Sequence, residues 1–484
     1  MSDKEIIALK DQEIERQKTE NAHLKFRIGQ LEKLIFASSS EKFKSSVSEI
    51  QLNLFNSETE QFDVTQNAEL EQISYTRKKG KAHPGRNKFP SHLPVEETII
   101  EPTEDVSDLE KIGETISETL DYTPASLVIK RIIRPKYVNR KEEKILIGSL
   151  PERTFPKCIA ENTLLAYILV SKFVDHLPYY RQVQRFKREF NWKVSQSTIN
   201  NWIAACCTLL KPLYDRMQQQ VIQSDYIQAD ESPIKVLDPE KQGKTHLGYQ
   251  WVYHAPQKGI VVFNYRRGRG MHGPKEFLMQ YEGILQCDGY TVYDKIGKKN
   301  KLDLVGCLVH ARRKFYDALQ SDKSRSEKAL KIIKQIYTIE KQAKEKTNEE
   351  KQKDRLDKIK PLMIELLCFV KQESFKILPK SPIGKAMAYY QKQWPKLKNI
   401  FLRPEIELDN NLIENKIRPL ALGRKNYLFA GSDKGAQWAA MMYSFFGTCK
   451  MHNIDPQKWL VNTLDNIYKT NIQDIDQFIP RLKV

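Results

Sequence analysis

Tyr226-Ile227-Gln228-Ala229-Asp230 is the stretch on which the reading of this 484-residue chain turns. It has strand composition and ends on an acid, and Ile234-Lys235-Val236-Leu237 resumes the strand pattern beyond Glu231-Ser232-Pro233. Working outward, strand character recurs at Tyr249 to His254 and at Ile260 to Tyr265, and a helix is expected over Pro274 to Gln280. Ile284-Leu285-Gln286-Cys287-Asp288 is a fourth strand that again closes on an acid, with Gly289 after it. Leu302 to Val309 reads as a fifth strand, running into a helix from His310 to Leu319.

Three successive strands, a helix, a strand, a helix and a further strand follow the order of a ribonuclease H-like α/β core. In that fold the first and fourth strands are neighbours, so Asp230 and Asp288 are expected to converge. Residues 320–375 are rich in Lys and Glu and almost free of Gly and Pro, so they read as inserted helices, with the insertion spanning about 320–400. The core, 223–450, then closes with a helix that opens near Asp409 and carries Glu414, and residues 451–484 form a C-terminal helical segment.

Upstream, the chain divides further, so the fold class is multidomain α+β. Residues 1–38 read as a coiled-coil helix without proline. Ile14, Asn21, Ile28 and Ile35 fall on one seam position, and Leu24 and Leu31 on the other. β-branched residues at the first position with Leu at the second favour a parallel dimer, and Asn21 fixes its register. Lys10 and Gln17 interrupt the second seam, which leaves a lone amphipathic helix as the alternative. Residues 39–98 read as a linker with a basic run around Pro84-Gly85-Arg86, able to lie along phosphates or simply to be solvated. Residues 99–150 form a small β-rich module. Within 151–222, a basic helix over Tyr179 to Phe190 and a helix from Gln196 to Cys207, capped by Ser195, make a helix-turn-helix. Gln196, Ser197, Thr198, Asn200 and Asn201 then stand where bases or phosphates are met.

Composition narrows the partners. Lys and Arg number 79 against 61 Asp and Glu, a net charge of +18, which suits a polyanion. No apolar run of ~18 residues offers a membrane span. The seven cysteines are scattered and never spaced Cys-x-x-Cys, which argues against disulfides and zinc and suits a reducing cytoplasm. A cytoplasmic, nucleoid-associated protein is expected.

Asp230, Asp288 and Glu414 lie 58 and 126 residues apart on rigid elements. Carboxylate oxygens are what hard cations prefer, and two Mg²⁺ or Mn²⁺ ions held by such a set can drive phosphodiester chemistry. Singly, each acid also suits a plainer role: a turn at Asp288-Gly289, a surface pair of Glu414 with Arg418, a loop cap at Asp230-Glu231.

Several blocks carry a resemblance to the transposases of the insertion-sequence-66 family. They are Ala229-Asp230-Glu231-Ser232-Pro233, Cys287-Asp288-Gly289-Tyr290, the run from Gly306 to Phe315 containing His310-Ala311-Arg312-Arg313, and Asn411 to Pro419 followed by Leu422 to Asn426. His176 to Gln182, Ser39 to Lys42 and Gly85-Arg86 also fit, so the similarity runs along nearly the whole chain. The resemblance implies an Asp-Asp-Glu transposase that cuts and joins DNA at the ends of a mobile element, as a homodimer or higher oligomer. Accessory proteins from the same element are a further implied partner. It also implies a zinc-finger-like module before the helix-turn-helix. Here the chain departs, with Glu101 to Glu104 and Val138 to Lys141 where Cys-x-x-Cys pairs are typical, so no zinc is expected. His310, Arg312, Arg313, Arg418, Arg424 and Lys425 are expected to hold phosphates beside the acids, with structural ion pairing as the alternative. A DNA-binding repressor without chemistry and a zipper-driven scaffold are the rival functions.

Overall fold

The structure is a computed structural model; it describes residues 89–481 except 92, 103–109, 124–125, 140–143, 156–157 and 242. The expected coiled coil, with Ile14, Asn21, Leu24, Ile28, Leu31 and Ile35, lies outside the described residues, as does nearly all of the linker.

The first sheet holds β1 (Val95–Ile99), β2 (Glu110–Thr123), β3 (Ser126–Asn139) and β4 (Lys144–Ile147). β2 runs antiparallel along one edge of β3, while β1, parallel, and β4, antiparallel, share the other edge. Leu120, Tyr122, Leu127 and Ile129 are buried. Their partner is helix α1 (Asn162–Phe173), whose Tyr167 ring lies 4.1 Å from that of Tyr122. Backbone bonds from Leu120 N to Ile159 O and from Glu161 N to Leu120 O join the strand to the start of α1.

Helix α2 (Tyr179–Phe190) buries only Gln182 and Phe186 and ends on Asn191 at φ 48°, a left-handed position that Asn tolerates. Ser195 then caps α3 (Gln196–Ile222), its Oγ accepting from Thr198 N at 3.0 Å. α3 does not stop at Cys207. Leu210, Leu213, Met217 and Val221 continue its buried stripe, and that packing carries the helix through Pro212.

The second sheet is built from β5 (Tyr226–Leu237), β6 (Thr245–Ala255), β7 (Ile260–Arg266), β8 (Ile284–Gln286) and β9 (Asp303–Val305), in the order β7-β6-β5-β8-β9. β5, β6 and β7 are antiparallel neighbours; β8 lies parallel to β5, and β9 parallel to β8. β5 is one strand through Pro233. β8 flanks it only as far as Gln228, so the proline's missing N–H falls on an open edge. α4 (His272–Phe277) starts earlier and ends sooner than the reading from Pro274 to Gln280, and β9 is shorter than Leu302 to Val309, since the next helix already begins at Leu308. α5 (Thr291–Asn300) links β8 to β9.

α6 (Leu308–Asp317) follows β9, and the inserted helices are α7 (Lys323–Gln342), α8 (Asn348–Asp354), α9 (Lys360–Ser374) and α10 (Pro382–Leu397). With α6 they share an apolar core that runs to Leu408 and takes in Tyr226, Ile284 and Val305 of the sheet. A π-helical turn opens on Arg355, which is fully buried. Its guanidinium pairs with Glu340 and donates to the carbonyls of Arg403 at 3.2 Å and Ile406 at 2.7 Å. A buried charge needs this degree of satisfaction, and here it fastens the insertion to the segment leading back to the sheet.

That segment enters α11 (Asn411–Tyr427), followed by α12 (Asp433–Met451) and α13 (Pro456–Asn466). The outer edge of β7 is closed by side chains. Thr448 and Ser444 of α12 accept from Val261 N and Phe263 N, and Tyr214 of α3 donates to Phe263 O. An open edge would otherwise invite pairing with another chain. Among the described residues no helix is long and apolar enough to cross a membrane.

Candidate active site

Two parallel strands deliver the aspartates. Gln228 of β5 stands opposite Gln286 of β8, and Asp230 and Asp288 follow two residues later on each. Asp230 lies within β5, opposite Val252, rather than at a strand end. Asp288 sits in the turn after β8, where its Oδ1 accepts from Tyr290 N at 2.9 Å. α10 passes close over this turn: a Cβ on Gly289 would come within 2.9 Å of Gln393 Nε2 and 3.0 Å of the Tyr389 ring. Glu414 is in the first turn of α11, its N–H donating to Asn410 O.

The acids act on one another. Burial pushes the Asp230 carboxyl up to about 8; the negative charges of Glu231, Asp288 and Glu414 push the same way, against a hydrogen bond from Glu231 N. Burial also raises Glu231, helped by Asp288 and opposed by Arg269 and Tyr293. His310, near the start of α6, is drawn up by Asp288 and Glu414, but burial outweighs them and lowers it. His310 Nδ1 has no hydrogen-bond partner among the described residues. Asp230, Asp288, Glu414 and His310 therefore form one electrostatic group, drawn from β5, the β8 turn, α11 and α6.

The donor set suits a hard divalent cation: three carboxylates, of which burial and its acidic neighbours hold Asp230 well above its usual range. Among the described residues, however, no three His, Cys, Asp or Glu side chains are gathered closely enough to hold an ion as they stand. The residues fit the cation in kind, and binding it requires them to draw together.

Beneath the acids runs a ladder of buried amides. Gln228 Nε2 donates to Gln286 Oε1 at 2.9 Å and to Asp409 O at 3.3 Å. Gln286 Nε2 donates to Glu407 O at 2.7 Å, and Tyr226 OH to Gln286 Oε1. Asn410 Nδ2 reaches back to Ala229 O at 3.2 Å. The strand residues two places before each aspartate thus grip the loop that leads into Glu414. The repeat Gln228-Ala229-Asp230 and Gln286-Cys287-Asp288 was the sequence signal for this, and the reading passed over it.

Residues 157–438, which contain all three acids, match the Transposase IS66 family. The chain belongs to that family. Residues 23–98 further match the description Transposase C of IS166 homeodomain, and residues 444–480 the IS66 C-terminal element. Among similar proteins of Sinorhizobium fredii, Uncharacterized protein y4jD is 31% identical over 94% of each chain. Uncharacterized protein y4qI is 31% identical over 88% of this chain and 82% of its own.

The remaining sequence-derived residues of this transposase stand as follows. Arg313 is exposed on α6 and Arg312 half-buried. Arg418 and Lys425 are exposed on α11. Arg424 is engaged: its Nη1 donates to Ser232 Oγ at 2.9 Å and to Pro233 O, holding α11 against β5. Gln196, Ser197, Asn200 and Asn201 are exposed in the first turns of α3, with Thr198 partly covered. The Ser195 hydroxyl ties Ser197 and Thr198 together at 2.7 and 2.8 Å. Sequence reading missed Arg269, whose Nε and Nη2 both donate to Glu231 Oε1, at 2.9 and 2.6 Å. The run Arg266-Arg267-Gly268-Arg269-Gly270 was its signal.

Proposed function

We propose that the chain cleaves and joins DNA strands at the ends of an insertion sequence, with Asp230, Asp288 and Glu414 as the acids of the reaction. The observation that carries this is the placing of Asp288 beside Asp230 by parallel neighbouring strands, with Glu414 near enough that burial and then the neighbouring charges, its own among them, push Asp230 up to about 8. Such a shift among converging acids marks a site built for a cation or a proton. The strand order β7-β6-β5-β8-β9 supports a ribonuclease H-like core, because it makes the first and fourth strands neighbours.

Asp230, Asp288 and Glu414 would hold two Mg²⁺ or Mn²⁺ ions. The chemistry such ions supply is charge relief at a phosphate and activation of an oxygen nucleophile. His310, whose Nδ1 has no hydrogen-bond partner among the described residues, would hold a phosphate oxygen, and Arg312, Arg313, Arg418 and Lys425 the approaching backbone. α2 and α3 serve as a helix-turn-helix, with Gln196, Ser197, Thr198, Asn200 and Asn201 toward DNA. Residues 1–38 pair two chains, and accessory proteins of the same element join the assembly.

The test is strand nicking and joining on element-end DNA with Mg²⁺ or Mn²⁺, beside a gel-shift measurement. Asp288→Asn keeps the side chain's shape and removes its charge. Nicking should fall about a thousandfold, a loss of ~4 kcal/mol in transition-state stabilisation, while DNA binding persists. Asp230→Asn and Glu414→Gln should behave alike and combine far from additively. Nicking at the parent's rate by Asp288→Asn would sink the assignment. A parent that binds DNA ends but never cuts would favour the repressor.

A further inference from the structure

We infer that Arg269 is a phosphate-binding residue of the DNA path, and that Glu231 occupies its guanidinium when DNA is absent. The inference rests on the DNA-cleaving reading above and adds to it a contact that reading does not contain.

Arg269 sits between Gly268 and Gly270, and a Cβ at either glycine would meet no side chain nearby. The backbone there is open to a close-lying strand of DNA. The Arg269 side chain is 48% exposed, yet both its Nε and its Nη2 point at a Glu231 side chain that is only 3% exposed. Its guanidinium also lies over the Tyr290 ring, 4.3 Å from the centroid. Tyr290 in turn donates from its hydroxyl to Arg269 O at 2.8 Å and from its backbone N–H to Asp288. The loop is therefore fastened on two sides, to the residue after Asp230 and to the turn carrying Asp288.

Three features point to phosphate as the alternative partner. A guanidinium presents a planar fork that fits two oxygens of one anion, and phosphate matches it as well as carboxylate does. Stacking on Tyr290 holds that fork in place without using its donors. Both Arg269 donors go to a single oxygen, Glu231 Oε1, so its pairing with the acid leaves most of the fork's capacity unused. Glu231 is a built-in anion: it keeps the guanidinium ordered, and it must be displaced when a backbone phosphate arrives.

The contact and the competition are read separately from strand cleavage. The full-length chain binds a fluorescent random-sequence duplex without divalent metal, and affinity is followed against salt. The parent should bind with a steep slope. Arg269→Gln should flatten that slope by about 0.9, the value of one phosphate contact, and Arg269→Lys should restore most of it. Glu231→Gln should tighten binding, up to about fivefold, the worth of one ion pair whose cation stays half-exposed. That gain should vanish in the Arg269→Gln/Glu231→Gln double variant, which also avoids stranding a buried carboxylate. An unchanged slope in Arg269→Gln, or a gain from Glu231→Gln that survives without Arg269, overturns the inference and leaves the DNA-cleaving reading standing. A parent with no salt-dependent binding overturns both.

Discussion

His254 shows what burial does to a single side chain here. It is 2% exposed, and its Nδ1 donates to Gln228 Oε1 at 3.0 Å, while Nε2 meets no partner among the described residues. Burial, and then the charge of Lys416, pushes it down to about 3. The folded chain therefore keeps His254 neutral, while the unfolded chain takes up a proton below about 6.5. Its stability contribution is whole above 6.5 and is lost progressively as pH falls toward 3. By pH 5 the loss amounts to about 2 kcal/mol. Denaturant unfolding at pH 7 and pH 5 should show this, and His254→Gln, which can still donate to Gln228, should lose correspondingly less. Equal losses in parent and variant would mean the ring is solvated in the folded state.

At the scale of elements, the question is how three acids from distant stretches are kept in one place. The glutamine ladder answers it, since Gln228 and Gln286 each bond across the strands and to carbonyls of the segment before α11. Gln286→Leu leaves Tyr226, Gln228 and Glu407 short of a partner in the interior. Each unpaired group costs roughly 1–3 kcal/mol. We expect strand nicking to fall at least tenfold in protein still folded by circular dichroism, and Gln228→Leu to add little beyond it because both act through one network. Full additivity would mean that the two amides work independently. The strands around this ladder were legible because Tyr226 to Ala229 and Ile284 to Cys287 are largely apolar runs closing on an acid. The ladder itself was not, because a buried glutamine looks like any polar residue until its partners are known. Arg355 was hidden for the same reason, one cation among the many of the Lys-rich helices.

For the whole molecule, charge and family agree on DNA, and the N-terminal heptads bear on how many chains bind it. Removing residues 1–38 should lower the mass measured by light scattering to that of a smaller assembly. An unchanged mass would place the association elsewhere. Helix boundaries were the least legible feature at this scale. The sequence pattern ends the helix from Gln196 at Cys207 and pauses the strand at Glu231-Ser232-Pro233, yet α3 runs on through Pro212 because its apolar stripe stays buried, and β5 through Pro233 because an open edge needs no N–H. Glu414 could be set on a helix from its local pattern, but the reach of its charge to Asp230 depends on contacts such as Asn410 to Ala229, which no local pattern encodes.

Placing the insertion between Asp288 and Glu414 has a consequence for synthesis. The ribosome makes Asp230 and Asp288 early, and 126 more residues pass before Glu414. At roughly 5–20 residues per second that interval is on the order of 6–25 s. Throughout it the growing chain carries the two strand acids, while the Asn410 bond that draws in the last helix does not yet exist. On the proposed reading, a half-made chain lying beside DNA can touch it but lacks the third acid to cut it. The order of the acids along the chain is itself a delay.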